Sequence, residues 1–175
     1  MLSELEPLTA AHDVSQFSCG KPALDHWLKA RALSNQQKGF TIVMVVHEER
    51  RVAGYYGLAP TAVAPATMPR SIRTGQPPAP VPCLLLGQLA TDLAWAGRGV
   101  GTGLLRHTLM RSLAGAELIG GRALVVKALD PEAAAFWQRR GFLPSKDDPL
   151  TLFRSMADIA QSLNAAVGAA RLMRS

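Results

Sequence analysis

Gly97, Gly99, Gly101 and Gly103 alternate through the segment Ala96-Gly-Arg-Gly-Val-Gly-Thr-Gly103. A glycine-dense turn of this kind suits one task, holding phosphate. Without a Cβ, the backbone can approach a ligand closely. The spacing predicts a helix from Val100 to about Ala114. Free N–H groups at its start and the positive end of its dipole attract anions. Arg98 adds a full positive charge at the same place. A tight structural turn is the alternative, and the glycines alone do not decide between the two. A Walker loop requires Gly-Lys-Ser/Thr, and no lysine lies here. A dinucleotide fingerprint requires GxGxxG early in a βαβ unit, whereas Gly99-Val-Gly101-Thr-Gly103 has another spacing and sits mid-chain.

Carboxylates near this turn are candidates for taking a proton. Asp92, Asp130 and Glu132 qualify, but each equally reads as a strand-end, N-cap or first-turn carboxylate. Tyr55 and Tyr56 are the two tyrosines of the chain. As strand neighbours they face opposite sides, so at most one looks into any given cleft. The cysteines, Cys19 and Cys83, form no CxxC pair. The histidines at 12, 26, 47 and 107 lie far apart in sequence, so no metal-ligand spacing appears.

The chain must position these groups within 175 residues, which predicts a single domain spanning residues 1–175. At 48% hydrophobic and 18% charged it can bury a substantial core and carries no long disordered tail. The formal charge of +6 suits a polyanionic partner such as nucleic acid. The acidic start Met-Leu-Ser-Glu-Leu-Glu lacks a signal-peptide pattern, and no apolar run is long enough to span a bilayer. A cytoplasmic protein without membrane partners is expected.

Residues 2–8 are read as a short first strand. A helix is predicted from Ala23 to about Gln37, with Ser18 as N-cap and Pro22 in the first turn. Phe40 to His47 and Val52 to Ala59 read as a hairpin joined through Glu48–Arg51. Residues 60–82 hold prolines at 60, 65, 69, 77, 78, 80 and 82. That excursion is either functional or a solvated linker. Leu84 to Leu89 suits a central buried strand. Arg122 to Ala128 is a further strand, and Asp130-Pro-Glu-Ala caps a helix that ends at Arg140-Gly141. Leu150 to Arg154 is a last strand. Met156 to Met173 is a terminal helix with Met156, Ile159, Ala160, Leu163 and Val167 on one face.

The order of these elements resembles the Gcn5-related N-acetyltransferase family. The matching residues are Leu89-Ala-Thr-Asp92, Ala96-Gly-Arg-Gly99-Val-Gly101, Val125-Val-Lys-Ala128 and Ala134-Ala-Phe136-Trp137-Gln-Arg-Arg-Gly141-Phe142, across roughly residues 40–155. More narrowly, the chain is similar to the tRNA-acetylating toxins of toxin–antitoxin pairs. The segments Phe17-Ser-Cys-Gly-Lys-Pro-Ala-Leu-Asp25-His-Trp-Leu28 and Val52-Ala-Gly54-Tyr55-Tyr56-Gly-Leu58 carry that match, with the proline-rich loop leading to Pro82-Cys-Leu-Leu-Leu86-Gly-Gln-Leu89-Ala90.

The resemblance implies an α/β (α+β) fold with a central mixed sheet flanked by helices. It implies acetyl-CoA as donor and the α-amino group of an aminoacyl-tRNA as acceptor. It further implies a cognate antitoxin of the ribbon-helix-helix type and a homodimer; no metal is expected. Leu89, Ala90 and Thr91 would pair with the pantetheine arm as an added strand does. Arg98, Gly99, Val100, Gly101, Thr102 and Gly103 would hold the pyrophosphate, and Ala128 and Phe136 would border the arm and acetyl group. Lys38, Arg70, Arg73, Arg139 and Arg140 are candidate phosphate contacts to tRNA.

Two positions depart from the family. Its Gln/Arg at the head of the turn is Ala96 here. Its tyrosine, expected to protonate the departing thiolate, is Trp137. Trp137 and Tyr56 are therefore the candidate catalytic side chains. Either the indole N–H hydrogen-bonds near the sulfur while Tyr55, Tyr56 or water supplies the proton, or Trp137 packs as a core aromatic. An ordinary small-molecule or protein N-acetyltransferase, or an acyl-CoA-binding protein with impaired catalysis, are the competing functions.

Overall fold

The computed structural model describes residues 1–174, apart from the side chains of residues 167, 169 and 170. The chain order is β1 (Glu6–Pro7), α1 (Pro22–Trp27), a π-helical stretch (Leu28–Ala32), α2 (Leu33–Gln37), β2 (Ile42–Glu48), β3 (Arg51–Val63), β4 (Val81–Thr91), α3 (Val100–Ile119), β5 (Ala123–Lys127), α4 (Pro131–Gln138), β6 (Leu143–Pro144), β7 (Thr151–Ser155) and α5 (Met156–Leu172). Short 3-10 turns sit at Pro65–Thr67 and Leu93–Trp95. The strands form one mixed sheet in the order β1-β2-β3-β4-β5-β7-β6. β4 lies beside β5 and reaches it through the α3 crossover, the connection that parallel neighbours require.

The chain divides into two compact units, Met1–Ala59 with Leu86–Thr108, and Pro60–Leu85 with Leu109 onward. In the first unit, β2 and β3 pair antiparallel, with Met44 opposite Tyr56 and Val45 opposite Tyr55. Their loop is two residues, Glu49 and Arg50, both at positive φ (47° and 72°). Tight hairpins need that twist, and here it is met without glycine. The Arg50 N–H donates to His47 Nδ1 at 3.1 Å, which helps hold the turn. The α1–α2 layer covers this sheet through Phe17, Leu28, Ala32, Val43, Val45 and Tyr55.

The helix begins at Pro22 behind Lys21, so the expected Ser18 N-cap is not formed. The Ser18 N–H instead donates to the Asp92 carboxylate at 3.0 Å. Asp25, in the first turn, accepts the Cys19 N–H at 2.9 Å. The expected first strand over residues 2–8 contracts to Glu6–Pro7.

In the second unit, β5 pairs antiparallel with β7, Val125 opposite Phe153. The proline-rich excursion is not a solvated linker. Its first residues continue β3 to Val63. Met68 and Ile72 are buried in a core with Val81, Cys83, Val125 and Phe153. Ser145 Oγ donates to the Thr67 carbonyl at 2.6 Å. Arg122 donates from Nε to the Ile72 carbonyl and from Nη2 to the Thr74 carbonyl and Oγ1, each at 2.9 Å. On α5, Met156 and Ile159 are buried and Ala160 and Leu163 half-buried, as the apolar stripe predicts; the Val167 side chain lies outside the described residues.

Candidate active site

The glycine turn lies in the first unit. β4 ends at Thr91, and Asp92 closes it as a structural carboxylate. Asp92 is 3% exposed, accepts the N–H groups of Ser18 and Ala94, and lies 3.8 Å from Arg51. This hydrogen-bonding accounts for Asp92 without a catalytic role. Beyond it Gly97 and Gly99 adopt φ of +74° and +80°. A side chain is strained there. A Cβ built at Gly97, Gly99 or Gly103 would meet no atom within 4 Å, so the turn borders open space.

The Gly103 N–H bonds back to the Gly99 carbonyl at 3.0 Å. The N–H groups of Val100, Gly101 and Thr102 precede that bond and have no partner one helical turn earlier. No aspartate or glutamate stands between Asp92 and Glu117. Arg98 is exposed, and its charge, behind the stronger pull of the Met1 amino group, helps hold the Glu48 carboxyl below the usual carboxylate range. Free N–H groups, a helix dipole, open space and the exposed Arg98 charge fit a pyrophosphate. Leu89 and Thr91 are half-buried and Ala90 buried, on the strand leading into the turn.

The two tyrosines do face opposite ways. Tyr55 packs against Phe17 and Trp27 and donates to the Leu24 carbonyl at 2.7 Å; burial pushes its phenol far above the ordinary value. Tyr56 is 0% exposed, and its hydroxyl lies 2.7 Å from His107 Nδ1 on α3. A phenol so enclosed has no surface from which to hand a proton to a leaving group. His107 in turn borders a groove of about 460 Å³ that Leu5, Val46, Val100 and Leu104 also line.

Trp137 lies in the second unit, 9% exposed and edge-on to both Phe136 and Phe142 at ring separations of 5.0 and 5.1 Å. Among the described residues none accepts a hydrogen bond from its indole. Asp130 caps α4 by accepting the Ala133 N–H at 2.8 Å, as the sequence predicts. Ala128 is buried and Phe136 half-buried. Of the basic candidates, Arg140 stacks on the Phe136 ring at 3.5 Å and donates to the Phe136 carbonyl, which leaves Arg139 the more exposed of that pair. Arg70 is exposed and Arg73 half-buried on the anchored excursion, and Lys38 is exposed at the end of α2.

The fold brings together two histidines that lie far apart in sequence. His12 and His47 each place Nε2 at 2.7 Å from Glu6 Oε1. The three could face a metal ion. The hydrogen bonds argue otherwise. His12 Nδ1 accepts the Thr9 N–H at 2.9 Å and His47 Nδ1 accepts that of Arg50. A neutral imidazole with an accepting Nδ1 carries its hydrogen on Nε2, where a metal would need a lone pair. The cluster is a carboxylate clamp that ties β1 to β2. Cys19 is likewise no nucleophile: burial first, and the Asp25 side chain next, push its thiol up to about 11.

No family model matches the chain. It is 42% identical over 151 residues to a tRNA-acetylating toxin of Mycobacterium tuberculosis, covering 86% of this chain and 90% of that one. Among solved structures it is similar to AtaT complexed with acetyl-methionyl-tRNAfMet, at TM-score 0.84 and 27% identity over 93% of this chain and 99% of that one. It is equally similar to a tyrosine-to-phenylalanine variant of KacT, at TM-score 0.84 and 26% identity over 91% of this chain and 98% of that one. A variant of AtaT bound to acetyl-CoA and the C-terminus of the antitoxin AtaR matches at TM-score 0.79 and 25% identity, over 94% and 99% of the two chains. On its sequence and its fold, the chain belongs to the tRNA-acetylating toxins of the Gcn5-related N-acetyltransferase family.

Proposed function

We propose that this protein transfers the acetyl group of acetyl-CoA to the α-amino group of an aminoacyl-tRNA and so blocks translation as a toxin. The observation that carries the reading is the 42% identity to a tRNA-acetylating toxin over 86% of the chain. The turn supports it. N–H groups of Val100, Gly101 and Thr102 would hold the pyrophosphate, with Arg98, Gly99 and Gly103 beside them. Backbone groups of Leu89, Ala90 and Thr91 would pair with the pantetheine arm, with Ala128 and Phe136 as further lining.

In the reaction the amine nitrogen bonds to the thioester carbonyl carbon and the C–S bond breaks. The electron pair leaves on sulfur, and one proton passes from nitrogen to sulfur overall. A backbone N–H on β4 would carry the developing oxyanion. A thiol has a pKa of about 8.5, so the thiolate leaves readily near neutrality without a side-chain acid. We assign Trp137 to the wall of the aromatic cluster and Tyr56 to the interior, and solvent to the proton. Positioning does the remaining work.

Lys38, Arg70, Arg73, Arg139 and Arg140 would meet tRNA phosphates, in keeping with the +6 charge. A ribbon-helix-helix antitoxin, a homodimer, a single catalytic domain, chemistry without a metal and a cytoplasmic location complete the proposal. No described helix is long and apolar enough to cross a membrane. A cell-free translation reaction tests the function. Adding the protein with acetyl-CoA should stop synthesis, and omitting acetyl-CoA should spare it. Arrest that is independent of acetyl-CoA, or no arrest at all, would refute the reading.

A further inference from the structure

Gln88 stands on β4 one residue before the segment expected to receive the pantetheine arm. Side chains alternate along a strand. Thr91 Oγ1 lies on the α3 side, 3.5 Å from where a Cβ on Gly101 would stand. Ala90 takes the opposite side, in the cluster with Leu28 and Tyr55. Gln88 shares that side with Ala90, toward the α1 layer.

There its carboxamide lies over Gly57 of β3. A Cβ at position 57 would stand 2.6 Å from Gln88 Oε1, 3.2 Å from Trp27 Cη2 and 3.6 Å from Thr41 Oγ1. Gly57 does not adopt a positive φ, so space rather than torsion keeps this residue a glycine. The carboxamide is half-buried, beside an aromatic ring. Among the described residues it makes no hydrogen bond. Part-exposed and unpartnered within the chain, it is open to a ligand that offers it both a donor and an acceptor.

We propose that Gln88 is the residue that orients the attacking amine, on the reading that the acceptor is an aminoacyl-tRNA. Its Oε1 accepts a hydrogen bond from the α-amino group, and its Nε2 donates to the aminoacyl ester carbonyl. An amide does not take a proton, so Gln88 binds and aims the nucleophile while the proton goes to solvent. Gly57 supplies the recess that lets the carboxamide lie flat, and the Trp27 edge closes it.

Steady-state transfer to aminoacyl-tRNA tests this with Gln88→Met, Gly57→Ala and the double variant. Gln88→Met keeps the volume and removes both hydrogen bonds. It should lower kcat/KM for aminoacyl-tRNA about 10–100-fold and leave the KM for acetyl-CoA unchanged. Gly57→Ala should lower it similarly by pushing the carboxamide away. The double variant should be no worse than Gln88→Met, because the more pliable methionine yields to the new methyl. Retention of kcat/KM by Gln88→Met, or an equal rise in the KM for acetyl-CoA, would overturn the assignment. Absence of transfer by the unaltered protein would overturn both this assignment and the function beneath it, before any variant is measured.

Discussion

The Tyr56 hydroxyl meets His107 Nδ1 at 2.7 Å, joining β3 to α3. Tyr56→Phe removes that partner, and a polar group that loses its hydrogen bond in a part-buried setting costs about 1–2 kcal/mol. Thermal unfolding should register the loss. Turnover per folded molecule should hold. A fall on the order of 10²–10⁴-fold, the worth of a general acid, would instead make the phenol the proton donor.

Trp137 sits between Phe136 and Phe142, and no described residue accepts its indole hydrogen. Trp137→Phe should therefore lower stability by about 1–3 kcal/mol through poorer packing and leave kcat nearly unchanged. Calorimetry beside single-turnover acetyl transfer separates the two effects. A large drop in kcat with acetyl-CoA binding intact would give the indole N–H a role at the reacting atoms.

Arg122 fastens the excursion that carries Arg70 and Arg73, through the Ile72 and Thr74 carbonyls. Arg70→Glu with Arg73→Glu should weaken tRNA binding and flatten its salt dependence, the slope falling by about 0.7–0.9 for each phosphate no longer neutralised. Arg122→Ala should raise the KM for tRNA in the same direction by freeing the loop. If the doubly substituted protein binds tRNA with the native salt slope, the excursion does not dock RNA.

Glu6 accepts Nε2–H from both His12 and His47, and those two hydrogen bonds hold its carboxyl below the usual range. A depressed carboxylate stabilises the fold above its unfolded pKa, and that contribution disappears as pH falls through its folded pKa. Glu6→Gln should flatten this acid limb of the stability profile. Zinc should leave the unfolding temperature where it is, because both histidines present hydrogen at Nε2. A zinc-dependent rise in Tm would show that the tautomers can exchange and that the clamp is a metal site.

Much of this architecture is legible in the sequence because its causes are local. Alternation sends Tyr55 and Tyr56 to opposite faces, Asp130-Pro131 starts α4, and the glycines at 97 and 99 mark a turn that needs positive φ. The failures come from partners distant in the chain. Ser18 reads as a helix cap, but its N–H is taken by Asp92, 74 residues away. The proline-rich stretch reads as either functional or a solvated linker because only Met68 and Ile72 are bulky and apolar at its centre, and those two anchor it. The spacing of the histidines hides a pairing that the β1–β2 register creates. Gln88 and Gly57 carry no sequence signal individually; only the β3–β4 packing shows that one fits over the other.

Mass spectrometry of total aminoacyl-tRNA treated with isotopically labelled acetyl-CoA and this protein decides whether the α-amino group is the acceptor. A labelled acetyl group is expected on the α-amino nitrogen of one or more aminoacyl-adenosines released by nuclease digestion. Label confined to uncharged tRNA, to protein or to small amines, with aminoacyl-adenosine unmodified, would contradict it.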